Sequence, residues 1–241
     1  MKKVIEQLFP PRCCSCDDIP EKDSPTCLKC KELLLHPANE LSRCGICFMS
    51  NEKCICSKRQ YYDKFCASFI YEGSVTKTIF KLKFRSRPDI AKGFARQMML
   101  SLKERDMLSD IDIITFIPMS SFAKFTRGYN QSQLLAKYLS QYSGIPYDGL
   151  LMKLHRTKAQ HTLNNISRSG NLLGLFEPIK DKTELIRGKT VLVVDDVSTT
   201  GATFNEIAKT LLIFGASSVY AASCTTTQKK SQKNIEHKKI L

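Results

Sequence analysis

Hydrophobic residues recur along the chain with two periods. The runs Cys66–Tyr71, Asp112–Ile117, Thr190–Val194 and Val219–Cys224 are short and apolar and read as strands. Between and around them, Gly73–Phe84, Pro88–Lys103, Asn130–Tyr142 and Thr203–Phe214 gather apolar residues on one helical face. Pro118 stops the second strand, Gly144 and Pro146 end the third helix, and Gly215 ends the fourth. The run at 190–194 has no polar residue after Thr190, the mark of a parallel strand covered on both faces. Strands alternating with helices predict an α/β domain, a mainly parallel sheet flanked by helices. No run reaches the roughly 20 apolar residues of a membrane span. Glu6 and Pro10-Pro11 interrupt the apolar stretch that follows Lys2 and Lys3, which argues against a secretory signal and for a cytoplasmic protein.

Cysteine changes this picture at the N-terminus. Nine of the eleven cysteines lie between Cys13 and Cys56. Cytoplasmic thiols are kept reduced, so a metal explains the cluster better than disulfides do. The pairs are Cys13-x-x-Cys16, Cys27-x-x-Cys30, Cys44-x-x-Cys47 and Cys54-x-Cys56. They suit Zn2+, which takes four thiolates tetrahedrally in closed structural sites. Sequential pairing gives one site from Cys13, Cys16, Cys27 and Cys30, and a second from Cys44, Cys47, Cys54 and Cys56. Interleaved pairing, Cys14 in place of Cys13, and an Fe–S cluster are the alternatives. One or two structural zinc ions would supply the folding free energy that so short a segment lacks. The expected division is a zinc-binding module over residues 1–60 and a larger domain over residues 61–241.

Charge follows the same division. The formal net charge is +14, with residues 1–66 near neutral and the rest strongly basic, which turns the large domain towards polyanions. Lys77, Lys81, Lys83, Arg85 and Arg87 cluster around Phe80 and Phe84. Cations neutralise phosphates and rings stack on bases, so this is the candidate nucleic-acid-binding segment. The helical spacing of Phe80 and Phe84 gives an opposing expectation, adopted for the two rings: both lie in the core, with the lysines in solvent.

The densest chemistry lies at 191–203. Four aliphatic residues deliver Asp195 and Asp196 to the carboxyl end of a strand, where ligands bind in such sheets. Ser198, Thr199, Thr200, Gly201, Ala202 and Thr203 follow and lead into a helix. Backbone amides and the helix N-terminus attract an anion, the hydroxyls add donors, and Gly201 admits close approach. Two carboxylates beside a phosphate make sense when the ligand also donates hydroxyls or brings a metal, as a sugar phosphate does. No Gly-Lys-Ser or Gly-Lys-Thr occurs, so this is not a Walker loop. The thirteen-residue run resembles the signature of type I phosphoribosyltransferases, which bind 5-phosphoribosyl-1-pyrophosphate (PRPP). That resemblance implies Asp195 and Asp196 at the ribose hydroxyls, residues 198–203 around the 5′-phosphate, and Mg2+ accompanying PRPP.

Two further segments narrow the resemblance. The stretch 118–131 carries Lys124 and Arg127, and the stretch 154–176 carries His155, Arg156, Lys158, His161 and Arg168 without an acidic residue, in the manner of a lid. Arg127-Gly128-Tyr129-Asn130-Gln131, the Arg156…Gln160 segment, and Arg168, Asn171 and Phe176, together with the cysteine pairs, look like the ComF family of ComFC-like competence proteins. The family joins a cysteine zinc module to a phosphoribosyltransferase-like domain. The resemblance implies support of single-stranded DNA uptake in natural transformation. Its implied partners are PRPP or a related ribose phosphate, single-stranded DNA and a DNA-translocating helicase. Two alternatives stay open. One is an active phosphoribosyltransferase of nucleobase salvage, a glycosyltransferase, with Arg127 stabilising the departing pyrophosphate and a loop bearing Arg156 closing over it. The other is a non-catalytic nucleic-acid-binding regulator on the same fold.

Overall fold

The computed structural model describes residues 12–20, 24–32, 34, 60–154 and 175–227. In chain order the elements are α1 (Leu28–Lys31), β1 (Lys64–Ile70), α2 (Gly73–Phe84), α3 (Ile90–Glu104), β2 (Ile113–Phe116), α4 (Ser121–Arg127), α5 (Gln131–Ser143), β3 (Leu151–Lys153), β4 (Phe176–Pro178), a 3-10 turn (Lys180–Leu185), β5 (Thr190–Ser198), α6 (Ala202–Ile213) and β6 (Ser218–Thr226). Four strands form one parallel sheet in the order β1-β6-β5-β2, and β3 and β4 pair as an antiparallel ribbon.

β5 shows why its apolar run belongs at the centre. Successive side chains of a strand point to opposite faces. Leu192 and Val194 join Phe69, Ile79, Leu82, Phe94, Leu135 and Leu139 in a core built with α2, α3 and α5. Val191 and Val193 join Phe65, Phe204, Ile207 and Leu211 in a second core under α6 and the ribbon. Fully burying such a side chain contributes about 2 kcal/mol, far more than helix propensity does. The cores therefore set which faces the helices present. The result is the helix–sheet–helix layering expected of the alternating pattern.

Three differences from the sequence reading have local causes. β5 extends beyond Val194 to Ser198, because β6 pairs with it as far as Thr226. Asp195 and Asp196 therefore stand within a strand and inherit its rigidity. The segment after β2, where no helix was expected, holds α4: the Ser120 side chain accepts from the Ala123 amide and Gly128 closes the helix at φ 76°. The β3–β4 ribbon went unread because three-residue strands carry too little periodicity.

The N-terminal residues dock on this body. Leu34 bridges Phe69 on β1, and Cys14 lies inside the first core. A Cβ on Gly93 of α3 would sit 2.9 Å from the Cys14 Cβ, so only glycine admits this contact.

Candidate functional site

At the tip of β5 the two adjacent carboxylates meet different surroundings. Asp195 is half-buried and its Oδ1 accepts from the Ser132 hydroxyl at 2.7 Å. Ser132 sits in the first turn of α5, where the Asn130 side chain accepts from the Ser132 and Gln133 amides and caps the helix. Burial first, and the Asp196 charge second, push the Asp195 carboxyl up to about 7. Asp196 is 2% exposed, and its Oδ2 lies 2.8 Å from Lys83 Nζ of α2. This is a charge contact that lacks the angles of a hydrogen bond. Beside it on β6, burial and then the Asp196 charge push the Cys224 thiol well above its ordinary range.

The loop that follows is compact. Ser198 is buried at the end of β5, and Thr199, Thr200, Ala202 and Thr203 are exposed. The Thr200 hydroxyl accepts from the Ala202 amide at 3.3 Å, and Thr227 donates to the Thr199 carbonyl at 3.2 Å. Gly201 takes φ 72°, and a Cβ there would fall 2.9 Å from the Tyr62 hydroxyl. Conformation and space thus both require glycine. α6 starts immediately after it, so its first amides and the exposed hydroxyls of this turn follow directly on the strand end that carries Asp195, a setting that attracts an anion.

The Arg127–Gln131 segment forms a joint between this site and α2. Gly128 turns the chain, Tyr129 Oη donates to the Leu82 carbonyl, and the Asn130 amide donates to the Ile117 carbonyl at 3.1 Å. Arg127 donates to Gln131 Oε1 at 3.3 Å and lies 4.9 Å over the Phe84 ring. These contacts hold Arg127 against α2.

Cys13, Cys16, Cys27 and Cys30 come together as the first quartet of the sequential pairing. Their sulfurs all lie within 4.8 Å of one another, with Cys16 and Cys27 at 3.6 Å, and the Cys27 amide donates to Cys13 Sγ at 3.4 Å. A tetrahedral zinc with Zn–S bonds of about 2.3 Å needs S···S edges of roughly 3.8 Å, so the donor set and its spacing fit a metal ion of that kind. Cys14 is not the replacement ligand: it packs beside Gly93, and burial pushes its thiol well up. Cys44, Cys47, Cys54, Cys56 and Arg156 lie outside the described residues.

The basic segment divides. Lys77, Lys81, Arg85 and Arg87, with Tyr71, Thr76 and Phe80, line an open depression of about 710 Å³ along α2 and the residues that flank it. Lys83 leaves this group for Asp196. Lys81 and Arg87 share Asp17 at 3.2 and 3.4 Å. The expectation that Phe80 and Phe84 are core residues is corrected. They are 49% and 56% exposed and lie with ring centres 5.0 Å apart, because α2 buries Val75, Thr78, Ile79 and Leu82 instead. Ser132, Tyr62 and the pairing of Lys83 were not found in the sequence, since each acts through a neighbour distant along the chain.

Residues 126–240 match the family described as "Phosphoribosyl transferase domain". The chain is 34% identical over 154 residues to DNA utilization protein YhgH of Salmonella typhimurium, covering 62% of this chain and 66% of that protein, just under two thirds. It is 28% identical over 202 residues to Competence protein F of Haemophilus influenzae, covering 82% of this chain and 83% of the relative. Competence protein ComFC of Bacillus subtilis is 28% identical over 147 residues, 60% and 56% of the two chains. The chain is thus similar to proteins named for competence and for DNA utilization, in line with its resemblance to the ComF family. Its large domain has a type I phosphoribosyltransferase fold, and its N-terminal cysteine knuckle could bind a metal ion. Among solved structures, the match to an adenine phosphoribosyltransferase covers 62% of this chain and 76% of that one at 19% identity, with a TM-score of 0.39. No helix of the described residues is long and apolar enough to cross a membrane.

Proposed function

We propose that this chain is a ComF-family protein that binds PRPP with Mg2+ at the β5 tip and single-stranded DNA on α2, and that it supports DNA uptake in natural transformation from the cytoplasm. The observation that carries the reading is the β5 tip itself. A half-buried carboxylate held by Ser132 adjoins a glycine-dependent loop that opens a helix. Asp195 accepts the ribose hydroxyls, Asp196 fixes the strand end through Lys83, and residues 198–203 receive the 5′-phosphate. Mg2+ arrives with the ligand and screens its pyrophosphate. DNA lies along Lys77, Lys81, Arg85 and Arg87, with bases stacked on the exposed Phe80 and Phe84 rings. Zinc in the knuckle is structural, and a helicase partner docks on the N-terminal module.

Calorimetric titration with Mg-PRPP tests the ligand. Saturable binding that ribose 5-phosphate competes away supports the reading; no heat and no competition sinks it. Pyrophosphate release measured across candidate acceptor bases then separates a binding protein from a transferase.

A further inference from the structure

α2 touches the cysteine knuckle on one side and the carboxylate pair on the other. At its start, Ser74 Oγ lies 2.8 Å from Ser15 Oγ and 3.6 Å from Cys30 Sγ. One turn on, the Thr78 hydroxyl donates to the Ser15 carbonyl, and Lys81 pairs with Asp17 at 3.2 Å. Ser15 and Asp17 flank Cys16, so the knuckle grips α2 through the residues next to its own ligands. At the other end, Lys83 reaches Asp196. Ser74 and Lys83 are about 14 Å apart along a continuous helix, which transmits position because successive turns are tied by backbone hydrogen bonds within it. Asp196 is 2% exposed, and a buried carboxylate needs its counter-charge.

We infer that Lys83 is a positioning residue: it holds the Asp195–Asp196 strand end from a helix that the metal-loaded knuckle fixes in place. Metal binding at one end of α2 then strengthens ribose-phosphate binding at the other, and the coupling is reciprocal. The ligand half of this inference rests on the PRPP reading; the mechanical half does not.

The test uses the full chain loaded with zinc, as wild type, K83R and the paired variant K83M/D196N. The paired variant removes both charges, so no unpaired carboxylate is left to unfold the protein. Amide hydrogen exchange of residues 195–203 is followed before and after a chelator strips the metal, with the β2 amides as internal reference. Stripping should speed exchange of these amides about tenfold in wild type and K83R, and less than about twofold in K83M/D196N. A loop indifferent to metal in wild type, or equally sensitive in the paired variant, overturns the inference. In a second measurement, saturating Mg-PRPP should slow zinc release to a colorimetric chelator about tenfold in wild type and leave the paired variant unchanged. Unaltered release from a PRPP-bound wild type also overturns it. A wild type that binds no PRPP defeats the PRPP reading instead, and the exchange measurement still decides the coupling.

Discussion

The tip of β5 and the outer face of α2 are both suited to anions, yet they are built from different materials. At the tip the groups are small: Ser, Thr, Gly and Ala around a strand end, with two carboxylates fixed by Ser132 and Lys83. On α2 they are long: lysines and arginines around two exposed rings. On the proposed reading the tip selects by shape and by hydroxyl acceptors, because its amides and carboxylates are set by β5, α5 and α6 before a ligand arrives. On the same reading the α2 face selects by charge and ring area, both of which tolerate many geometries. A small sugar phosphate suits the first and a flexible polyanion the second.

Four measurements test that contrast. The largest effect expected is on DNA and salt. With about four phosphate contacts from Lys77, Lys81, Arg85 and Arg87, a fourfold rise in salt should weaken single-stranded DNA binding roughly 50-fold. Fluorescence anisotropy at increasing salt measures this, and a flat response would remove α2 as the footprint. Next, D195N should cost PRPP about 2 kcal/mol, roughly 30-fold in Kd, and leave DNA binding unchanged. A parallel loss of both would merge the two regions into one site. F80A/F84A should do the opposite, weakening DNA about tenfold through lost stacking with PRPP titrations unaltered.

The last measurement is pH. Asp195 is pushed up to about 7 in the folded chain, above the ordinary value of about 3.9. The native state therefore holds this proton more tightly than the unfolded state does. The stability it contributes is fully present below about pH 4 and is lost as pH rises through about 7. Urea midpoints across that window should fall in wild type and lose this component in D195N. Ribose hydroxyls need the ionised carboxylate, so PRPP affinity should move the other way, rising about tenfold between about pH 6 and 8. Affinity that is level across this range would mean that Asp195 does not meet the hydroxyls.

Much of the fold was legible because its cause is local. The α2 bounds were read as they stand, and α3, α5 and α6 begin and end within two residues of their predicted limits, since proline, glycine and apolar period act within a few residues. The glycine turn between β5 and α6 was legible for the same reason. Phe80 and Phe84 were misread because helical spacing says that residues share a face, not which face the sheet will cover. Cys14 and Cys13 are adjacent and chemically identical in sequence; only the close approach of Gly93 assigns one to the core and leaves the other beside Cys16, Cys27 and Cys30.

The alternation of strands and helices, the acid pair with its glycine turn, the cysteine spacing and the basic bias of the large domain are written in the order of the residues. All of these arise from period, turn chemistry and composition. Tertiary structure alone decided the division of labour between Asp195 and Asp196. Both are aspartates at the end of one strand, but Asp195 meets a hydroxyl from residue 132 and Asp196 an ammonium from residue 83. Those partners lie 63 and 113 positions away along the chain, where no local pattern reaches and only the packing of α2 and α5 onto the sheet brings them in.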